Sequence, residues 1–185
     1  MRNTIVINAF GGPGSGKTTA CFQIACELKK KGYVVEYVPE YAKELVWDQN
    51  WELLDGSFNH QNQVLNEQKR RIDRLVGKVD FIVTDAPLLF NIIYLNASDS
   101  IRKLHLSNLL KIFKSYNNFN FFVKRDEERF EEEGRMQNLE ESRQKDQEIM
   151  SLLQDNDIYC GKYSHRNVSY IANNAINTLR KLNAN

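Results

Sequence analysis

The sequence predicts an α/β fold, a parallel sheet with helices on both faces, and three observations predict it. Apolar runs of strand length at 4–10, 33–38, 79–84, 119–123 and 158–163 alternate with longer helical patterns. The run at 79–84 is apolar almost throughout, as a strand covered on both faces requires. The first run passes straight into a glycine-rich turn and then a helix, and such strand–helix–strand units close by right-handed crossovers.

Taken in order, residues 4–10 form the first strand and 18–31 the first helix. Cys21, Phe22, Ile24, Ala25 and Leu28 mark the helix's packing side, and Gly32 stops it after Lys29, Lys30 and Lys31. The strand at 33–38 ends at Pro39, which sits near the start of a short helix at 40–46. Residues 47–57 read as a loop or broken helix. A long helix follows over 58–76, with Gln61, Leu65, Gln68, Ile72, Leu75 and Val76 on one face. Its two glutamines either meet a polar ligand or lie solvated at a fraying start. After the strand at 79–84, helices are expected at 88–96 and 98–116, and Asn118 marks a turn into the strand at 119–123. A charged segment fills 124–148, helix resumes to about 153, and a weak strand at 158–163 precedes a last apolar-faced helix.

Composition narrows the class. A chain of 185 residues is expected to be one domain, with a lid segment at about 125–145. A net charge of +1 gives no global field for nucleic acid or an acidic membrane. The three cysteines, Cys21, Cys26 and Cys160, lack metal-ligand spacing and are read as buried small hydrophobes in a reducing compartment. No apolar run approaches membrane-spanning length, and the protein is expected to be cytoplasmic.

The chemistry concentrates in the first turn. Residues 11–18 fit G-x-x-x-x-G-K-[ST], with four glycines in six positions. Such a backbone can aim successive N–H groups at an anion, backed by the positive end of the helix. Gly12, Pro13, Gly14, Ser15, Gly16, Lys17, Thr18 and Thr19 are therefore the expected cradle for ATP. Lys17 supplies charge to the β- and γ-phosphates, and Thr18 a hydroxyl for Mg²⁺. In a parallel sheet the ligand lies beyond the carboxyl ends of the strands, and three further groups stand there. Asp85 ends the third strand; it holds Mg²⁺ through water, receives the acceptor's proton, or caps the next helix. Glu40 follows the second strand and either accepts a substrate hydroxyl's hydrogen bond or caps. Arg135, preceded by a Gly134 hinge, and Arg143, with Arg125 and Arg129 behind them, are candidates for closing over the triphosphate. Tyr41, Trp47 and Trp51 form an aromatic wall for a flat base, or else pack in the core.

The pieces GGPGSGKTT, YVPEYAKELV, HQNQVLNEQ, FIVTDAPL and EEEGRMQNLEESR together resemble the P-loop kinase group containing the nicotinamide-riboside kinase domain of the bacterial NAD-biosynthesis regulator. The resemblance covers about residues 1–155. It implies a P-loop NTPase fold with a five-stranded parallel sheet ordered 2-3-1-4-5 and a helical lid. It also implies ATP- and Mg²⁺-dependent phosphorylation of a small nucleoside-like hydroxyl. Lys17 and Thr18 would meet ATP and Mg²⁺, Asp85 the reacting centre, Glu40 the substrate, and Arg135 the lid. Two other readings keep the phosphate loop. A kinase acting on a polynucleotide end or a modified base in DNA calls for a basic groove, which a net charge of +1 does not favour. A nucleotide-gated switch or AAA-type motor calls for an Asp-Glu pair after the third strand, where Asp85 is followed by Ala86.

Overall fold

The computed structural model describes residues 2–124, 139–164 and 167–184. Chain order is β1 (Ile5–Phe10), α1 (Lys17–Lys30), β2 (Val35–Val38), α2 (Tyr41–Trp47), a 3₁₀ turn (Glu52–Leu54), α3 (Phe58–Asp73) and β3 (Phe81–Thr84). It continues with α4 (Phe90–Tyr94), α5 (Asp99–Lys114), β4 (Asn117–Val123), α6 (Leu139–Asp155), β5 (Gly161–Tyr163) and α7 (Val168–Ala184). The five strands are all parallel, in the expected order β2-β3-β1-β4-β5.

The two-residue period of β1 divides the core. Ile5, Ile7 and Ala9 face Ile24 and Leu28 of α1 and Ile171, Ala175 and Leu179 of α7. Val6 and Phe10 face the opposite layer, built from Leu65 and Ile72 of α3, Leu109 and Phe113 of α5, and Ile149 and Leu153 of α6. Every residue of β1 is buried, as befits a strand paired on both edges and covered on both faces.

On the second face a polar group interrupts the pattern. Asn8 donates from Nδ2 to Asn118 Oδ1 at 2.9 Å and to Asn120 Oδ1 at 3.0 Å. Asn118 in turn donates to the carbonyls of Phe113 and Tyr116. This corrects the expected turn at Asn118. Its side chain does close the end of α5, as a turn asparagine would, but its backbone already lies in β4, opposite Val6.

Element ends moved for similar local reasons. β5 is shorter than its apolar run because the Ile158 N–H closes back on the Leu153 carbonyl, with Asp157 at φ 53° ending α6. The cysteine expectation holds for Cys21 alone, since Cys26 is exposed and Cys160 half-buried. Among the described residues no helix is long and apolar enough to cross a membrane.

Candidate active site

The turn from β1 into α1 is built on backbone geometry that side chains resist. Gly11 has φ 144°, and a Cβ there would sit 2.5 Å from Ser15 Oγ and 3.3 Å from the Val123 carbonyl. Gly16 caps α1 in the left-handed region at φ 91°. Lys17 folds back over this loop, its ammonium 2.9 Å from the Gly12 carbonyl and 5.6 Å above the Phe90 ring. Ser15 Oγ is sealed from solvent and makes no hydrogen bond among the described residues.

Asp85 follows β3, the strand beside β1, and its carboxylate meets the loop. Thr18 Oγ1 donates to Asp85 Oδ2 at 2.5 Å. Asp85 is only 3% exposed, and Oδ1 is buried without a hydrogen-bond partner among the described residues. It caps nothing: α4 begins after Leu89 with no side-chain cap. An unsatisfied buried carboxylate oxygen beside a threonine hydroxyl is a hard-oxygen donor set, and these residues fit Mg²⁺. Two neighbours report the same charge. Burial first, and then the Asp85 carboxylate, push the Tyr37 hydroxyl well above its ordinary value. The Cys21 thiol is raised in the same way, with Lys17 opposing, so it stays an inert thiol. Nothing in the sequence singled out Tyr37, because a tyrosine in a strand looks like core.

Glu40 stands one strand further out, after β2. It occupies the N-cap position of α2 but makes no side-chain cap bond. Its charge adds to the burial that mainly raises the Tyr94 hydroxyl, and adds least, after burial, Asp85 and Cys21, to the rise of the Tyr37 hydroxyl. The segment carrying it is held by α3. Gln68 donates from Nε2 to the Pro39 carbonyl at 3.2 Å and accepts from the Tyr41 N–H at 3.0 Å, bracketing Glu40. One turn on, Arg71 grips Glu44 through two bonds of 2.6 Å, bonds Glu67 at 2.8 Å and lies 4.7 Å over the Tyr41 ring. Hydrogen bonds from Arg70 and Arg71 bring the Glu67 carboxyl down to about 2.

The glutamine stripe is thus buried rather than solvated, with Gln61 and Gln68 only 5% and 6% exposed. Gln68 holds the backbone on either side of Glu40, with its amide oxygen and nitrogen both engaged there. Gln61 contacts Asn91 of α4, which bonds His105 of α5. Replacing Arg71 with methionine should free α2 from α3, lowering stability by about 1–2 kcal/mol after allowance for solvent around Glu44. Thermal unfolding checks this, and an unchanged melting temperature would remove the clamp's role.

Of the two expected roles for the aromatic residues, core packing does not apply to the tryptophans. Trp47 and Trp51 are 64% and 50% exposed, which rules out core packing. Among the described residues neither ring stacks on Tyr41, which is occupied by Arg71. Arg143 lies on α6, 3.7 Å from Glu140. Arg125, Arg129, Gly134 and Arg135 lie outside the described residues, as does most of the expected lid segment.

α6 supplies contacts that the sequence concealed. Asp146 accepts a hydrogen bond from the Gly12 N–H at 2.5 Å, and Lys145 lies 5.7 Å from the Tyr94 ring while pairing with Glu148 at 2.7 Å. In a segment as charged as 124–148, one aspartate that meets the phosphate loop has no signature that separates it from a solvated face.

Comparison with known proteins is consistent with this architecture. The structure of Chaetomium thermophilum Kti12 in complex with ADP-AlF3 superposes with a TM-score of 0.50 at 14% identity, covering 95% of this chain and 98% of that one. Mycobacterium tuberculosis APS kinase CysC, in complex with AMPPNP and APS, gives a TM-score of 0.49 at 15% identity, covering 97% and 99%. No curated protein sequence matches. The fold is that of the P-loop kinases and NTPases, and the AAA domain matches residues 6–168, from within β1 to the first residue of α7, so the chain belongs to the AAA domain family.

Proposed function

We propose that this protein is an ATP-dependent kinase that transfers the γ-phosphoryl group to a hydroxyl of a small nucleoside-like substrate, of the nicotinamide-riboside or deoxynucleoside type. One observation carries the reading: two carboxylates with different surroundings stand on adjacent strand ends. Asp85 is bonded to the phosphate-loop Thr18, whereas Glu40 is an uncapped N-cap carboxylate held at the outer strand by Gln68. A hydrolase or AAA-type switch calls for its second carboxylate directly after the first, where it activates water. A kinase needs its second carboxylate where the acceptor lies, to orient the hydroxyl and take its proton.

In this reading the N–H groups of residues 12–19 cradle the phosphates, and Lys17 leaves the Gly12 carbonyl for the β- and γ-oxygens. Thr18 and Asp85 would hold Mg²⁺, whose chemistry is to neutralise charge on the phosphate oxygens. Glu40 accepts the substrate hydroxyl's hydrogen bond, and the Tyr94 hydroxyl, kept protonated by burial and by Glu40 and Glu148, donates nearby. Ala86 after Asp85 leaves no second carboxylate there to activate water, which favours transfer over hydrolysis. Arg135 and Arg143 are proposed as lid cations, in a single cytoplasmic kinase domain. Arg135→Ala should then lower kcat at least tenfold while raising the KM for ATP far less, because such a group acts on charge developing in transfer. A change confined to KM would make it a ground-state contact.

The direct test incubates the protein with Mg-ATP and a nucleoside library and seeks a phosphorylated product by mass spectrometry. ATP consumption with phosphate released to water and no phosphorylated acceptor would replace the kinase reading with the switch. Product on oligonucleotide ends alone would replace it with the polynucleotide enzyme.

A further inference from the structure

Three buried amide and imidazole side chains link α3, α4 and α5, and each fixes the polarity of the next. Gln61, Asn91 and His105 are 5%, 7% and 6% exposed. The chain starts at a group with no choice: the Gln61 backbone carbonyl can only accept, and Asn91 Nδ2 donates to it at 2.7 Å. That sets the Asn91 amide. Its Oδ1 must face the other way, toward His105 Nε2 at 2.6 Å, so the imidazole proton belongs on Nε2. The second Asn91 N–H reaches Gln61 Oε1 at 3.0 Å. The Gln61 oxygen is therefore turned inward, and its nitrogen outward.

The outward nitrogen has work left to do. Gln61 Nε2 has no protein partner among the described residues, and it is not sealed from solvent. Its neighbours link it to the candidate site. Phe90, next to Asn91, lies beneath the Lys17 ammonium, and Gln68, two turns along the same face of α3, brackets Glu40. Burial lowers the His105 pKa, favouring the neutral ring with one proton, and the Phe58 ring packs edge-on against it at 5.5 Å.

We propose that His105, Asn91 and Gln61 form a polarity relay that makes Gln61 a donor-only recognition group in the acceptor site. It selects a ring whose edge carries a carbonyl or carboxamide oxygen over the otherwise similar ring with an amino group there. A glutamine free to rotate could serve either edge; one whose oxygen is already engaged can offer only N–H. An amino-edged ring would leave two donors face to face beside a largely buried glutamine, the arrangement that discriminates most strongly. His105 and Asn91 are positioning residues, and Gln61 is the contact. This inference rests on the kinase reading above, and it narrows the substrate class within it.

The test uses oxo/amino pairs of nucleosides, uridine with cytidine and inosine with adenosine. Binding is measured in the presence of a non-hydrolysable ATP analogue, and turnover with Mg-ATP. The oxo member should be favoured about tenfold or more in kcat/KM, the worth of one well-made hydrogen bond. Gln61→Glu, which keeps an oxygen for Asn91 to bond but turns an acceptor outward, should reverse the preference. Asn91→Asp removes the donor that pins Gln61, and should bring the ratio close to one with ATP affinity unchanged. Should that variant fail to fold, Gln61→Glu carries the test alone. Nitrogen-15 NMR of the imidazole should show His105 protonated on Nε2 at neutral pH, a signature that mere packing would not dictate. Equal binding of both members, or a proton on Nδ1, overturns the relay and leaves the kinase reading standing. Binding of neither member of any pair, nor of nicotinamide riboside, with ATP still bound, overturns both.

Discussion

Lys17→Ala should abolish turnover while the protein stays folded. The substitution leaves the loop N–H groups in place and keeps a strong helix former at the start of α1. What it removes is the only charge on the loop able to follow the transferring phosphoryl group. A preorganised cation of this kind contributes about 3–4 kcal/mol to transition-state stabilisation, so kcat should fall by at least a hundredfold to a thousandfold. Thermal unfolding without nucleotide should move little, because the lysine's Gly12 contact is a single hydrogen bond worth about 1 kcal/mol. The stabilisation that ATP gives the wild-type protein should shrink in the variant. Retained activity, together with a wild-type melting curve that ATP does not move, would sink the phosphate-loop assignment.

The second large effect separates the two carboxylates. Asp85→Asn preserves an oxygen to accept from Thr18 but discards the charge on the buried Oδ1 side. It should damage ATP hydrolysis and phosphoryl transfer together, on the order of a hundredfold, and shift the Mg²⁺ requirement upward. Glu40→Gln should cut transfer by about a hundredfold or more, the usual worth of a positioned base. ATP affinity and slow hydrolysis to water should survive it, because Glu40 stands two strands away from the loop, one beyond Asp85. Parallel assays of hydrolysis and transfer across a Mg²⁺ titration distinguish the pair. Identical losses with the same Mg²⁺ response would mean that both carboxylates do one job.

These predictions draw on features that the sequence exposed to unequal degrees. The order of strands and helices was legible because the apolar period changes cleanly from two to 3.6 along the chain. The phosphate loop was legible because glycines at strained positions have few substitutes, as the Gly11–Ser15 approach demonstrates. Asp85 and Glu40 stood out from their places at strand ends. Less visible were groups whose meaning depends on a partner far along the chain. Gln68 was read as either a ligand group or a solvated one, and its hold on the backbone around Glu40 left no mark in the sequence. His105 carried no local signal, because its role exists only through Asn91 and Gln61. Asn118 gave a genuine turn signal in its side chain while its backbone had already entered β4. Asp146 was hidden among neighbours of both charges.

The central place of β1 has a consequence for how the protein is made. On the ribosome, six residues that end up buried, Ile5–Phe10, emerge long before either strand that will cover them. Their partners begin only at Phe81 and Asn117. Until those arrive, the nascent chain presents an unpaired apolar strand, the kind of surface that chaperones bind and that aggregates when they are scarce. Nor can nucleotide rescue it early. Asp85 emerges behind β3, and the Val123 carbonyl that walls Gly11 comes at the end of β4. Nascent chains released before β4 should therefore be insoluble whether or not ATP is present, and those that include it should be the first that the nucleotide protects from proteolysis.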